Sequence, residues 1–169
     1  MTADHDRPAR GRDETPEERA DRLWNEMLQE VRVCQTGAQI LFGFLLATAF
    51  TPRFATLPDF DKHLYVATVL LGAFATGTLI APVAFHRFMS GHGMKPELIH
   101  VAGRLIGLGL VLLALTISAA LLLLLRTATD SSPAAWVLSG AALAWFCVCW
   151  LVLPRSVLRR HAHRRDRDR

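Results

Sequence analysis

Polar and apolar positions fall in blocks along this chain. In residues 15–32 apolar side chains return at Leu23, Trp24, Met27, Leu28 and Val31, with Arg22, Glu26, Gln29 and Glu30 on the other side. That is the i, i+1, i+4, i+5, i+8 spacing of an amphipathic helix. Over 33–51 the charges stop and a run rich in Leu, Phe and Ala takes over, and three further apolar runs follow at about 63–85, 98–125 and 134–153. Each is long enough to cross a bilayer, which takes about 20 helical residues rising about 1.5 Å apiece. The pattern predicts an all-α protein, a four-helix transmembrane bundle whose first helix extends into the cytoplasm as an amphipathic helix.

The punctuation between the blocks agrees. Residues 1–14 mix Asp, Arg, Gly and Pro without period and read as a disordered cytoplasmic tail. Thr15, Pro16 and Glu18 then supply an N-cap, a first-turn proline and a capping box, so 15–32 is a helix continuous with the first span. Pro52 ends that span, and Pro58, Asp59 and Asp61 lie in a short outer loop. Pro82 loosens the inner end of the second span, Gly91, Gly93 and Pro96 make the inner turn, Pro133 turns the chain outside, and Pro154 stops the fourth span before a basic tail, 154–169. The rows Thr68, Gly72, Thr76 and Ala73, Gly77, Ala81 are spaced for close helix contact, as are the pairs Gly103, Gly107 and Gly140, Ala144.

Composition sharpens the class. The chain has 169 residues, 51% of them hydrophobic, and a mean hydropathy of +0.26, so with its charges gathered at the ends of the apolar runs it is an integral membrane protein. The N-terminus has no apolar core of a signal peptide, so the first span is retained as an anchor. With the N-terminus inside, 16 of the 19 Lys and Arg are cytoplasmic and only Arg53, Lys62 and Arg126 lie outside. That bias places the protein in the cell (inner) membrane as a multi-pass chain with both termini cytoplasmic. The net charge of +4 is then an orientation signal and implies no nucleic-acid partner.

Polar residues inside or beside the spans are the candidate functional positions. Arg32, Gln35, Thr36, Gln39 and Gly43 share one side of the first helix, and such a side is expected to face other helices. His86 and Arg87 end the second span, and His100 and Arg104 begin the third at similar depth. Together with Glu30 these residues are expected to form one hydrogen-bonded cluster at the cytoplasmic rim, Glu30 pairing with Arg87 or Arg104. The alternative is that the basic side chains snorkel to lipid phosphates. The stripe Leu23, Trp24, Met27, Leu28, Val31 is the candidate surface for a partner or a second copy, favoured over anionic lipid because its polar flank carries Glu as often as Arg.

Reactive chemistry is thin. Cys34, Cys147 and Cys149 make no disulfide framework, and the last two point apart on a helix. His86, His92 and His100 have no Cys or carboxylate spacing to support a metal site. There is no nucleophile motif, phosphate loop or His-Glu metal signature, so no catalytic residue, metal or cofactor is expected and the protein does not read as an enzyme. None of the spans has a carboxylate near its middle, where ion-coupled transport usually keeps one.

The segments WNEMLQEVRVCQTGAQILFGFLLATAF, RFATLPDFDKHLYVATVLL, LIAPVAFHR and KPELIHVAGRL resemble a family of small four-span actinobacterial membrane proteins of unknown function. Some of its members carry a sodium:proton antiporter label. The resemblance runs roughly over 23–125, the fourth span matching in hydrophobicity alone. It implies the four-span fold and directs attention to the Gln-Thr-Gly-x-Gln and Ala-Pro-Val-Ala-x-His-Arg segments. Two functions follow as expectations. One is a scaffold or regulator acting through the N-terminal amphipathic helix, its partners being the bilayer and a second copy or another membrane protein. The other is a small cation or proton transporter or channel, working as a homo-oligomer.

Overall fold

The structure, a computed structural model, describes residues 15–89, 95–129, 132–154 and 156. The expected tail at 1–14, most of the inner turn and nearly all of the basic tail lie outside them. Four long helices account for the spans: α1 (Pro16–Thr48), α3 (Asp59–Met89), α4 (Lys95–Ala128) and α5 (Ser132–Cys147), the last running on through a wider, π-helical turn at Val148–Val152. All four are long and apolar enough to cross a membrane. A short α2 (Pro52–Ala55) sits between the first two, begun by Pro52 at the helix start, where its missing N–H costs nothing. The protein is therefore a multi-pass, all-α bundle.

Local signals explain the helix starts. Thr15 Oγ1 accepts from the Glu18 backbone N–H at 3.2 Å, while Glu18 Oε2 accepts from the Thr15 N–H at 2.9 Å, the two halves of a capping box. Asp59 and Asp61 fall in the first turn of α3, where carboxylates oppose the helix dipole, so that helix begins four residues before the expected 63.

α3 and α4 form the central pair; α1 packs on both, chiefly on α3, and α5 flanks α4. The core is Ala38 of α1, Ala75 and Leu79 of α3, and Leu113 of α4, with Cys34, Leu41, Leu112 and Ile117 around it. The closest approach is at Gly109: a β-carbon there would come within 2.7 Å of Leu79 Cδ2, and Leu79 is fully buried. Gly72 is the matching small position on α3, close to Phe42 and Thr116. Of the expected small-residue rows, the one with Thr68, Gly72 and Thr76 faces inward. Gly77, Gly103, Gly107 and Gly140 instead have open space where a side chain would go. The reason is register: α4 turns Ala102, Gly109, Leu113 and Thr116 inward, which rotates Gly103 away.

The first helix also differs from expectation. Among the described residues its buried positions are Trp24, Val31, Ala38 and Leu45, spaced by seven, so one seam runs from Trp24 to Leu45 as in coiled-coil packing. Trp24 is 8% exposed and Val31 2%. Counting 14 residues inward from Ala38, Ala75 and Leu113 puts Trp24 level with Met89 and Ile99, near the inner ends of α3 and α4. At 31 and 34 residues, about 46 and 51 Å, α3 and α4 outrun a bilayer core of about 30 Å and accompany the first helix beyond it. The amphipathic half does not project alone.

Candidate functional site

Polar residues gather at both ends of the bundle, and the two ends are built differently. At the end carrying α2, the start of α3 meets the end of α4. Arg126 Nε donates to Asp61 Oδ1 at 2.6 Å, and Asp61 is only 4% exposed. Arg126 Nη1 donates to Ser132 Oγ at 2.7 Å, and the guanidinium lies 4.7 Å from the centre of the Phe60 ring, which in turn sits 6.4 Å from Trp136. One arginine thus joins α3, α4 and α5, with ion pair, hydroxyl and ring face satisfied together.

Three more contacts close the same end. Tyr65 Oη donates to the Leu45 carbonyl at 2.7 Å, tying α3 to α1, and its ring meets Phe54 of α2 edge-on at 4.8 Å. Arg53 Nη2 donates to the Thr127 carbonyl at 3.0 Å, tying α2 to the end of α4. Between them lies a groove of about 170 Å³ lined by leucines and threonines together with Arg53, Phe54 and Tyr65. A second cavity, about 110 Å³ and apolar, opens between α4 and α5 beside the π-helical turn.

The opposite rim, where the sequence places the candidate cluster, is open. Gln35 Nε2 donates to the Leu79 carbonyl at 2.7 Å, tying α1 to α3 next to the Thr78 carbonyl that the buried Pro82 leaves without its helical N–H. Arg32, Thr36 and Gln39 are exposed, and the Thr36 hydroxyl donates back to the Arg32 carbonyl of its own helix at 3.0 Å. Glu30, Arg87 and Arg104 are exposed too, and among the described residues no ion pair joins them. The expected Glu30 pairing is not formed. The His86 and His100 side chains, and all of His92, lie outside the described residues. Among the described residues no three His, Cys, Asp or Glu come together as metal ligands.

The expected partner stripe is divided. Trp24 and Val31 are covered by the chain itself, Met27 and Leu28 are half-buried, and Leu23 is 43% exposed. The two sets overlap on α1: Gln35, beside the buried seam, is half-buried and bonded to α3, whereas Arg32, Thr36 and Gln39, farther round the helix, are exposed.

A family model described as "Family of unknown function (DUF6328)" matches residues 13–154. The chain belongs to the DUF6328 family. The match opens just before the Thr15 cap and closes at Pro154, so the DUF6328 unit comprises all four spans, the full length of the first helix and the clasp of Asp61 and Arg126. No curated protein and no solved structure matches the chain significantly.

Asp61, Tyr65, Arg126 and Arg53 were not among the positions singled out by sequence. A signal for the first and third was there: Asp61 opens one apolar run and Arg126 closes the next, on the same side of the membrane. The depth argument that groups residues at the inner rim groups these equally well.

Proposed function

We propose that this DUF6328 protein is a non-enzymatic membrane scaffold or regulator. It lies in the cell membrane with both termini cytoplasmic and holds a partner along its first helix. The observation that carries this reading is the interior of the bundle. Among the described residues the buried carboxylate is Asp61, and it is closed by Arg126 at one end instead of standing on a path through the middle. The hydroxyls of Thr68 and Thr116 are likewise engaged by carbonyls of their own helices, while those of Thr76, Ser118 and Ser139 are buried without a partner among the described residues. The first helix, in contrast, is 33 residues and about 50 Å long, with its polar flank open.

The test is ion flux. Purified full-length protein in proteoliposomes is expected to move protons under a sodium or potassium gradient no faster than protein-free vesicles. Flux that disappears on Gln39→Leu or Arg104→Leu would overturn the scaffold reading. The second reading, cation or proton exchange by a homo-oligomer, draws support from the exposed Arg32, Thr36 and Gln39, which in an assembly would line a shared path.

A further inference from the structure

The side of α1 turned away from the bundle is polar where lipid is apolar. For a span over 33–51, Gln39 lies six residues, about 9 Å, inside the hydrocarbon edge, and Gly43 lies about 15 Å inside, near the midplane. Gln39 is exposed, and its amide has no hydrogen-bond partner among the described residues; Gly43 has nothing within 4 Å of where a β-carbon would sit. An amide facing hydrocarbon is costly, since no water reaches it. A quarter-turn on, the same helix presents Val33 and Phe44, 75% and 71% exposed, as an ordinary lipid face. The polar strip therefore needs a protein against it.

We propose that a second copy of this chain covers it, in a parallel two-fold dimer whose α1 helices cross at Gln39 and Gly43. Copies inserted with the same orientation and related by an axis along the membrane normal bring identical residues to identical depth. A residue near that axis must be small or self-complementary. Gly43 is the first, letting the backbones approach; Gln39 is the second, its amide carrying both a donor and an acceptor to exchange with its twin. Arg32 lies eleven residues inward of Gly43, about 16 Å, where crossing helices have diverged and each guanidinium reaches its own lipid phosphates. The contact is dry and closed, with no shared pore along it, and it does not depend on the scaffold reading.

The experiment is disulfide trapping in native membranes with the full chain, on a background of Cys34→Ala, Cys147→Ala and Cys149→Ala. Gly43→Cys and Gln39→Cys are expected to give a covalent dimer under mild oxidant, while Phe44→Cys at the same depth stays monomeric. A cross-link to a protein of different mass, equal trapping at Phe44→Cys, or none at either strip position overturns the proposal. Step-photobleaching of the fluorescently fused wild-type chain in dilute liposomes gives an answer that does not depend on the cysteine variants. Two-step traces are expected to predominate, and single steps at every protein density refute the dimer. Gln39→Leu should weaken association about threefold to thirtyfold.

Discussion

Arg126→Leu removes the guanidinium from Asp61, Ser132 and Phe60 at once. Breaking a buried ion pair by deleting one partner costs about 3–5 kcal/mol, chiefly because the other charge stays buried. Here the side chain of Asp61 is 5% exposed and that of Arg126 19%, at the membrane boundary, so the lower end of that range applies, about 3 kcal/mol. For a chain of this length that is a fall in Tm of about 6–12 °C. Asp61→Leu should cost less, about 1–2 kcal/mol, because Arg126 keeps its Ser132 hydroxyl and Phe60 ring and sits nearer water. The double variant, with no charge left to strand, is expected within about 1 kcal/mol of wild type. Tryptophan fluorescence during thermal unfolding in mild detergent follows all three, since Trp136 lies beside the Phe60 ring. A double variant whose loss equals the sum of the two singles, or an Arg126→Leu melting within about 2 °C of wild type, sinks the clasp as described.

The same melting assay checks the rest of the packing. Gly109→Ala pushes a methyl into Leu79 and should cost about 1–3 kcal/mol, whereas Gly107→Ala on the same helix meets open space and should stay within about 0.5 kcal/mol of wild type. Equal effects would mean that α3 and α4 do not meet at Gly109. Gln35→Leu loses the bond to the Leu79 carbonyl and should lower Tm by about 2–4 °C. Gln35→Glu, which turns an acceptor on that carbonyl, should lower it further, and the reverse order would place the amide elsewhere.

The fold was legible because its signals are local. Apolar run length gave the four spans, and Thr15, Pro16 and Glu18 gave the start of the first helix to the residue. What sequence could not supply was rotation about each helix axis. Both the stripe at Trp24 and Val31 and the face at Gln39 are visible on a helical wheel, but only packing decides which turns inward. The expectation that polar groups avoid lipid pointed to the Gln39 side, yet the bundle buries the seven-residue seam through Trp24, Val31, Ala38 and Leu45. Gly109 escaped for the same reason, since its value lies in facing Leu79 and glycine spacing alone favours Gly103 and Gly107. The clasp escapes the sequence because Asp61 reads as a loop residue and Arg126 as a topology signal, roles that say nothing of whether they touch.

These corrections bear jointly on function. Alternating access moves one part of a bundle against another around a midplane site, which here would require α3 to part from α4 at one end in each cycle. At the end carrying α2 that separation would break the Asp61 pair and the Phe60 contact together, and farther along it would unseat Leu79 from Gly109. Among the described residues no comparable bonds tie down the outward side of α1, where Gln39 and Gly43 lie exposed. The central pair is thus the rigid support, and on the proposed reading the first helix is the surface through which the protein acts.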